Sequence, residues 1–503
     1  MNKYGKVVLV GAGPGDLDLL TLKGKEYLSQ ADCVVYDRLL NNKMLGLCKS
    51  NSEMIFVGKE NHNHTMAQDK INELLYEKAK EHKLVVRLKG GDPYVFGRGG
   101  EEALYLKERN IDVETVPGVS SSIAALADAG IPITHRGLSK GFQVITAHSK
   151  KDEPTNIDFS LLTDEDVTLV FLMGLAHVGQ IAKGLIEAGR DSHTNAAVVS
   201  SGTTNHQKKV VGTLENIEDL VSKAKLTSPA IIVVGKVVGL ADELNFFEKR
   251  PLFGKTFFLP QIESFNYSLE KGVTETYGNE LEDRLWKSGA EVISVVTGRV
   301  RPIECDLGFL NHVKQGDLVV FTSGNGVRSF FWNLFEIQKK DVRAIVGLKF
   351  AVVGEKTKAV LKSFGVNADI VPKVQTGLAL AEALKDSLSE HTNIFWLCGS
   401  IHYADFENVL GKNYSLKKIV CYENNPAEYE ISDEICSKIL KCDGAIFTSA
   451  SNAQSVITKG VELPENIYSI GPSCSGVLKK HGVAQVVEAK SASYEGLFDL
   501  LVE

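Results

Sequence analysis

The sequence predicts an α/β protein built from successive strand and helix units, and three observations indicate this class. Its composition, 44% hydrophobic and 24% charged, is that of an ordinary globular protein. Amphipathic segments such as residues 67–81 predict helices between the strands. Short runs of β-branched and other apolar residues, typical of strands in a helix-covered parallel sheet, recur at Lys6–Val10, Cys33–Tyr36, Leu84–Leu88, Gln143–Ala147, Thr168–Met173, Ala196–Ser200 and Ile231–Val234.

The length predicts several domains, because 503 residues at roughly 150 per domain correspond to three or four. We expect a first domain over residues 1–245, with lobes at about 1–115 and 116–245 joined near Val116-Pro117-Gly118. The segment Glu248-Lys249-Arg250-Pro251-Leu252-Phe253-Gly254 interrupts the alternation and predicts a linker over 246–255. A second domain is expected over 256–503.

The charge balance and the cysteines limit the partners and the compartment. Lys and Arg number 56 against 63 Asp and Glu, a net charge of −7, so the basic excess needed to bind a phosphate backbone is absent and no nucleic-acid partner is expected. No apolar run approaches the roughly 18 residues of a membrane span, and no signal sequence is expected. Eight scattered cysteines without a CxxC pair are typical of a reducing compartment, which predicts a cytoplasmic protein without a membrane partner.

The first glycine-rich loop, Gly11-Ala12-Gly13-Pro14-Gly15-Asp16, follows a strand but does not have the spacing of a dinucleotide-binding loop. Its third glycine comes four positions after the first instead of five, and Pro14 donates no N–H. We therefore expect no NAD. His62 and His64 are the nearest approach to a metal-ligand pair, and without further spaced ligands they predict a loop, so no metal is expected.

Asp37 stands at the end of the second predicted strand, where open α/β sheets bind ligands. A carboxylate there can accept a proton during catalysis. It can equally cap a helix or pair with Arg38 or a neighbouring lysine, and the residues alone leave these alternatives open.

The second half contains an internal sequence repeat. Val319-Val320-Phe321-Thr322-Ser323 recurs as Ala445-Ile446-Phe447-Thr448-Ser449, each followed by a turn and a helical pattern. Gly354 and Gly471 follow later strands, and a Gly-Leu pair follows each of them (377–378 and 496–497). This order predicts two similar α/β lobes.

Residues 3–245 resemble uroporphyrinogen-III C-methyltransferases. The resemblance lies in Val10-Gly11-Ala12-Gly13-Pro14-Gly15-Asp16, Val34-Val35-Tyr36-Asp37-Arg38, Val57-Gly58-Lys59, Arg87-Leu88-Lys89-Gly90-Gly91-Asp92-Pro93-Tyr94-Val95-Phe96-Gly97-Arg98-Gly99-Gly100-Glu101-Glu102, Val116-Pro117-Gly118-Val119-Ser120 and Gly130-Ile131-Pro132-Ile133-Thr134-His135-Arg136. It implies the two-lobed tetrapyrrole-methylase fold and the use of S-adenosyl-L-methionine, with S-adenosyl-L-homocysteine as product. The implied reaction methylates uroporphyrinogen III twice to precorrin-2, on the way to sirohaem or cobalamin.

The resemblance also implies the roles of individual residues. Asp37 would be the proton acceptor and Lys59 the proton donor. The positions matching the cofactor site are Pro14, Gly90, Gly91, Asp92, Val95, Ser120, Ser121, Met173, Gly202 and Ala230. Basic side chains in loops after strands, which can bind the substrate carboxylates, are Arg38, Arg98, His135 and Arg136.

Residues from about 253 to 503 resemble uroporphyrinogen-III synthase, which closes hydroxymethylbilane into a ring. This implies a pair of flavodoxin-like α/β lobes. The hydroxyls expected at the substrate belong to Thr322, Ser323, Tyr422, Thr448, Ser449 and Ser473. Members of this family usually carry Thr-Arg-Pro after the first strand, whereas this chain has Leu259-Pro260-Gln261 there, so the activity of this half stays open.

A bifunctional enzyme of tetrapyrrole biosynthesis is the leading hypothesis, because the product of the second half is the substrate of the first. One alternative keeps the methyltransferase and makes the second half a degenerate binding or dimerisation module. A nicotinamide-dependent oxidoreductase is opposed by the glycine spacing, and a methyltransferase acting on RNA or protein by the charge. The resemblance suggests a homodimer formed through the N-terminal half.

Overall fold

The computed structural model describes residues 4–38, 40–49, 51–58, 66–147, 156–270, 272–276, 280–389, 392–400, 405–411, 414–426 and 431–503. The chain divides into two compact units, residues 1–254 (unit 1) and 255–503 (unit 2). No helix among these residues is long and apolar enough to cross a membrane. Both units are mixed α/β with parallel strands, so the predicted fold class is confirmed.

The first lobe of unit 1 is a five-stranded parallel sheet in the order β3-β2-β4-β1-β5. Its strands are β1 (Lys6–Gly11), β2 (Cys33–Tyr36), β3 (Glu53–Phe56), β4 (Leu84–Lys89) and β5 (Asp112–Val116). Its helices are α1 (Leu22–Gln30), α2 (Gln68–Glu81) and α3 (Gly99–Lys107). Apolar side chains are buried on both faces of the sheet, which explains why its central strands show runs without alternation.

The second lobe of unit 1 is a five-stranded sheet in the order β6-β7-β10-β8-β9. Its strands are β6 (Gly141–Thr146), β7 (Val167–Leu172), β8 (Asn195–Ser200), β9 (Lys208–Thr213) and β10 (Ala230–Val234). Its helices are α4 (Ser121–Asp128), α5 (Val178–Glu187) and α6 (Ile217–Ala224). Only β6 and β7 pair in parallel. The short connection after β8 returns the chain beside it as the antiparallel β9, and the chain then passes through α6 to β10, which lies antiparallel between β7 and β8.

The end of unit 1 is packed against its second lobe. Phe247 and Leu252 are buried, and the Arg250 guanidinium lies 4.2 Å from the centre of the Phe247 ring. Glu248 accepts hydrogen bonds from Asn245 at 2.9 Å and from Gln207 at 3.0 Å. These contacts anchor the segment that was predicted to be a linker.

Unit 2 contains one ten-stranded sheet, in which β12 pairs with β11 beside the path β15-β14-β16-β17-β13-β11-β18-β19-β20. Its strands are β11 (Thr256–Ser268), β12 (Gly272–Thr276), β13 (Glu291–Pro302), β14 (Leu318–Phe321), β15 (Lys349–Val352), β16 (Asn393–Gly399), β17 (Ser415–Pro426), β18 (Gly444–Phe447), β19 (Ile467–Ser469) and β20 (Val487–Glu488). The antiparallel pair β13–β17 separates two parallel halves. In the half β13-β11-β18-β19-β20 the strands follow the flavodoxin order 2-1-3-4-5.

The helices of unit 2 lie between these strands. They are α7 (Glu280–Lys287), α8 (Gly324–Trp332), α9 (Glu355–Ser363), α10 (Gly377–Ser387), α11 (Asp405–Leu410), α12 (Asp433–Leu440), α13 (Ala450–Thr458), α14 (Pro472–Lys480) and α15 (Tyr494–Val502). The sequence repeat is also present in the structure, since Ser323 and Ser449 cap α8 and α13 with nearly the same backbone angles. The Gly-Leu pairs are two positions out of step, because Gly377 begins its helix whereas Gly496 is the third residue of α15.

Candidate functional site

Three loops meet at the carboxyl edge of the first sheet, where the adjacent strands β4, β1 and β5 end. The loop after β1 pairs with the loop after β4, since Gly13 and Gly91 exchange backbone hydrogen bonds of 3.2 and 2.8 Å. Gly11 and Gly118 pack backbone against backbone, because a Cβ on either would lie within 2.6 Å of the other's Cα. Only glycine permits this approach.

Gly91 faces away from the contact between Gly11 and Gly118. Its φ is +66°, which favours glycine, and a Cβ built on it would meet nothing within 4 Å. The three loops therefore present backbone groups to open space beside Gly91. A flat ligand group can approach the backbone there without meeting a side chain.

The Asp92 carboxylate holds two of these loops together. One oxygen accepts a hydrogen bond from the Tyr94 backbone N–H at 2.8 Å, and the other from the Gly118 backbone N–H at 3.0 Å. Both oxygens are therefore used in shaping the loops. If Asp92 also contacts the cofactor, as predicted, it has to do so while keeping its hydrogen bonds to Tyr94 and Gly118.

Asp37 lies at the same edge, just after β2, and its partner is Arg87 of β4. One guanidinium nitrogen of Arg87 donates to both oxygens of Asp37, at 2.8 and 2.9 Å. The Arg87 side chain is 2% exposed and that of Asp37 is 32% exposed. The pair thus joins a buried cation to a carboxylate that solvent can reach.

Behind Arg87 the ion pair continues into the interior. The fully buried carboxylate of Glu102 accepts from Lys89 at 2.8 Å and lies 3.4 Å from Nε of Arg87. Burial lowers the pKa of Lys89, because the charged ammonium loses its hydration. Oε2 of Glu102 has no hydrogen-bond partner among the described residues. This network fixes Arg87, which in turn fixes Asp37.

Left-handed backbone conformations recur in loops that carry the predicted site residues or lie next to them. Among the described residues, eight positions other than glycine have positive φ, and five of them lie in the motif after β4 or within three residues of the end of β7 or β8. They are Phe96, Arg98, Met173, Ser201 and Thr203. Met173 projects from the end of β7 with half of its surface exposed. Strain of this kind persists where surrounding contacts enforce it, and it is concentrated at functional sites.

A chain of hydrogen bonds connects the two lobes next to Pro14. The backbone N–H of Asp16 donates to the Thr203 hydroxyl at 3.3 Å, and the backbone N–H of Thr203 donates to the Gln207 side chain at 3.0 Å. Gln207 in turn donates to Glu248 at 3.0 Å. Thr203 and Gln207 are buried. The end of unit 1 is thereby linked to the first glycine loop.

The remaining predicted cofactor positions lie on both lobes. Ser120 caps α4 and accepts from the Ser122 N–H, while Ser121 begins that helix. Gly202 packs so closely on Ala125 of α4 that a Cβ would lie 2.3 Å from the alanine Cβ. Ala230 begins β10, and Val95 is exposed after the Gly90 loop.

The basic residues predicted for the substrate are all exposed. They are Arg38, Arg98, His135 and Arg136. Arg98 is paired with Glu101 of the same turn, at 2.9 and 2.7 Å. Lys59, the predicted proton donor, and the pair His62 and His64 lie outside the described residues.

In unit 2, Ser323 and Tyr422 come together although they are far apart in sequence. The Ser323 hydroxyl accepts from the Gly326 N–H as the cap of α8 and lies 2.9 Å from the Tyr422 hydroxyl. Tyr422 is 8% exposed, and burial raises its pKa. Thr322 accepts from the Trp396 indole at 3.2 Å.

The matching turn in the other half uses an asparagine. Thr448 accepts from the Asn452 side chain at 2.9 Å, and Ser449 caps α13 by accepting from the Asn452 backbone N–H at 3.1 Å. Oδ1 of Asn452 is buried without a partner among the described residues. Ser473 is exposed at the start of α14, and the buried serine of that helix is Ser475.

Sequence reasoning missed the partners of these residues. Arg87, Lys89 and Glu102 lay inside a motif that was quoted for its resemblance, but no role was assigned to them. The available signal was an arginine and a lysine within an otherwise apolar strand, since buried cations require buried anions. Gln207 and Glu248 carried no such signal.

Comparison with protein families gives a match for each unit. The model of tetrapyrrole (corrin/porphyrin) methylases matches residues 6–218, and the model of uroporphyrinogen-III synthase HemD matches residues 279–499.

Two relatives and one solved structure are among those most similar. The porphyrin biosynthesis protein HemD of Ruminiclostridium josui is 35% identical over 510 residues, which cover 100% of this chain and 98% of the relative. A uroporphyrinogen-III C-methyltransferase of Bacillus subtilis (strain 168) is 40% identical over 72% of this chain and 72% of its own length. The solved structure is the uroporphyrin-III C-methyltransferase of Thermus thermophilus complexed with S-adenyl homocysteine, 40% identical over 46% of this chain and 93% of that one, with a TM-score of 0.40.

Proposed function

The chain belongs to the family of the porphyrin biosynthesis protein HemD of Ruminiclostridium josui, and from this premise we propose that unit 2 cyclises hydroxymethylbilane to uroporphyrinogen III and unit 1 methylates that product at C2 and C7 to precorrin-2. One family match falls in each unit, which confirms both resemblances inferred from the sequence. The chain is an enzyme of tetrapyrrole biosynthesis in which two activities are fused.

The observation that carries the first activity is the meeting of three backbone loops beside a carboxylate held by a buried arginine. A ligand can approach the backbone on the open side of Gly91, and Met173 is exposed, which supports the fit of the residues present to S-adenosylmethionine. When bound, it supplies the methyl group as an electrophile. The residues that would hold it are Pro14, Gly90, Gly91, Asp92, Val95, Ser120, Ser121, Met173, Gly202 and Ala230.

The chain's own contribution is alignment and proton transfer. A pyrrole carbon that accepts a methyl group becomes part of a cationic ring system, which must lose a proton to restore neutrality. Asp37 accepts that proton, because its carboxylate is partly exposed and Arg87 holds it in one orientation. Lys59 is the proton donor in this proposal.

The substrate carries eight carboxylates, and four basic side chains are assigned to them. Exposed guanidinium groups can bind carboxylates in a bidentate manner, which supports Arg38, Arg98 and Arg136 in this role, with His135 beside Arg136. Arg98 forms an ion pair with Glu101, so a substrate carboxylate has to compete with Glu101 for the guanidinium. The ion pair is exposed and therefore weak.

For the second activity we assign the two serine-capped turns of unit 2. Ser323 with Thr322, and Ser449 with Thr448, stand where a strand ends and a helix begins, so hydroxyls and helix N–H groups can bind acetate and propionate side chains. Tyr422 joins the first turn through Ser323, and Ser473 is exposed at the start of α14.

Further parts of the proposal concern assembly and compartment. We assign the protein to the cytoplasm as a homodimer formed through unit 1. Phe96, Leu104 and Ile123 are large apolar side chains exposed on unit 1, and an interface would cover such residues. Light scattering after size exclusion should give twice the mass of the chain, which is 54.9 kDa.

One experiment tests both activities. The purified chain is incubated with hydroxymethylbilane, with and without S-adenosylmethionine, and the products are separated after oxidation, which converts only the unmethylated rings to porphyrins. The type III isomer is expected without the methyl donor, and a dimethylated product with it. If the type I isomer, which forms spontaneously, is the only product, the synthase activity is disproved. If the type III product stays unmethylated in the presence of the methyl donor, the methyltransferase activity is disproved.

A further inference from the structure

Three potential metal ligands meet at the amino edge of the first sheet, at the opposite end of the strands from the cofactor loops. Cys33 begins β2 and Glu53 begins β3, and the two residues are direct neighbours in the parallel register. His82 caps the C-terminus of α2, two residues before β4. The Cys33 sulfur, a Glu53 oxygen and a His82 ring nitrogen all lie within 4.8 Å of one another.

These spacings are close to what a single ion requires. A tetrahedral zinc site with bonds of about 2.0–2.3 Å places its ligand atoms about 3.4 Å apart. The present spacings exceed this value by at most about 1.4 Å, so side-chain movements of that size in Glu53 and His82 complete the site. Both side chains are partly exposed, whereas Cys33 is fully buried and fixed by the strand.

Two of the three ligands, Glu53 and His82, border a cavity open to solvent, and Cys33 is buried beside them. Its volume is about 460 Å³, and its lining includes Asp32, Asn51, Glu53, Glu81, His82 and Lys83. The cavity gives an ion a path of entry and room for a water molecule as the fourth ligand. The lining is polar, so it can hold an ordered water.

The present partners of Glu53 do not exclude an ion. Glu53 accepts from Lys78 at 2.8 Å and contacts His82 at 2.7 Å. Lys78 has a second carboxylate, that of Glu81, at 2.7 Å, so it keeps a counter-ion when Glu53 turns towards a metal. Asp32 is bound to Lys49 and to the Leu84 N–H, so it stays outside the ligand set.

We propose that Cys33, Glu53 and His82 form a zinc site that ties β2, β3 and the end of α2 together at the amino edge of the sheet. A thiolate, an imidazole and a carboxylate are the ligand types that Zn²⁺ takes in proteins. The thiolate and the carboxylate together neutralise the charge of the ion. On binding, the S–H bond of Cys33 breaks, a sulfur–zinc bond forms and one proton leaves to solvent.

The test uses the full chain after removal of metals with a chelator and titration with Co²⁺ and with Zn²⁺. We expect one equivalent to bind, a thiolate-to-cobalt charge-transfer band in the near ultraviolet, and release of about one proton per ion. His82→Gln and Glu53→Gln should each weaken binding at least about tenfold. Cys33→Ser should abolish the band, whereas Cys48→Ser, which changes another cysteine of the same lobe, should leave it intact.

Two results would overturn the proposal. One is a wild-type chain that binds neither ion stoichiometrically at micromolar concentration. The other is binding that His82→Gln leaves unchanged. His82 lies at a helix end and is partly exposed, so this variant keeps the fold even if Cys33→Ser, a core substitution, does not. Neither of these binding measurements depends on the enzyme activities proposed above.

Discussion

Nη2 of Arg87 donates to both carboxylate oxygens of Asp37, at 2.8 and 2.9 Å, from a side chain that is itself buried. The carboxylate is thereby held in a fixed orientation at the carboxyl edge of the first sheet. Because proton transfer by a positioned group contributes about 10²–10⁴-fold to a rate, Asp37→Asn should lower kcat for methyl transfer within that range.

The measurement that separates catalysis from structure is the affinity for the methyl donor. Calorimetric titration of Asp37→Asn with S-adenosylhomocysteine should give a dissociation constant within about twofold of the wild type, since Asp37 lies outside the assigned cofactor positions. Asp112→Asn, an exposed position on the same sheet, serves as the control. Parallel loss of affinity and rate would assign Asp37 a structural role.

Gln207 is expected to act on cofactor binding from outside the cofactor site. Gln207→Ala removes the acceptor for the Thr203 N–H and frees Thr203, which holds the backbone of Asp16 beside Pro14. We expect KM for S-adenosylmethionine to rise about tenfold, the equivalent of ~1.4 kcal/mol, with kcat nearly unchanged. Lys208→Ala, its exposed neighbour, should change neither constant. A fall in kcat at constant KM would contradict this route.

Glu102 should be essential to the stability of unit 1. Glu102→Gln leaves Arg87 and Lys89 buried with one carboxylate fewer, and breaking a buried ion pair costs about 3–5 kcal/mol. The tryptophans, Trp286, Trp332 and Trp396, all lie in unit 2, so their fluorescence reports that unit while circular dichroism reports both. The loss should appear only in the dichroism transition, and exposed Glu101→Gln should show much less of it. An unchanged dichroism midpoint would refute the prediction.

Asp128 makes stability depend on pH. Burial, opposed by Arg250, raises the pKa of this carboxyl from 3.8 to about 6, so the folded chain binds a proton there that the unfolded chain releases above pH 4. Stability therefore falls as pH rises from about 4 to about 6, and the full cost, at most ~3 kcal/mol, is present above pH 6.

Asp128→Asn removes this titration. The variant should be more stable than the wild type at pH 7.5, and the difference should disappear near pH 4, as followed by dichroism melts across the range. Asp112→Asn, which is exposed, should show no such dependence. A stabilisation that stays constant with pH would mean that the charge of Asp128 is not its cause.

Tyr422 should matter only modestly for ring closure. Its hydroxyl is buried and bonded to Ser323, and loss of water from hydroxymethylbilane needs little acid assistance. Tyr422→Phe is expected to slow formation of uroporphyrinogen III by about tenfold or less, below the range of general acid catalysis, and to leave methyl transfer unchanged. A loss of about 10³-fold would instead make Tyr422 the general acid.

Much of the fold could be predicted from sequence, because its signals are local. Apolar runs such as Cys33–Tyr36 form strands, because both faces of this sheet are covered and successive residues on either face are therefore buried and apolar. The glycines at 11, 13 and 91 marked loops that meet through their backbones, and the repeated Ser323 and Ser449 marked equivalent helix caps. The motif around Arg87 was sufficient to indicate the family.

Tertiary structure alone decided which charges face each other. Asp37 and Arg87 are 50 residues apart, and Cys33, Glu53 and His82 come from three separate segments, so no periodicity or spacing connects them. A buried charge requires a partner, but the partner is supplied by whichever strand or helix the packing of apolar faces brings alongside. Local pattern therefore determined where the backbone turns and which faces are buried, whereas long-range packing determined the pairs that give those positions their chemistry.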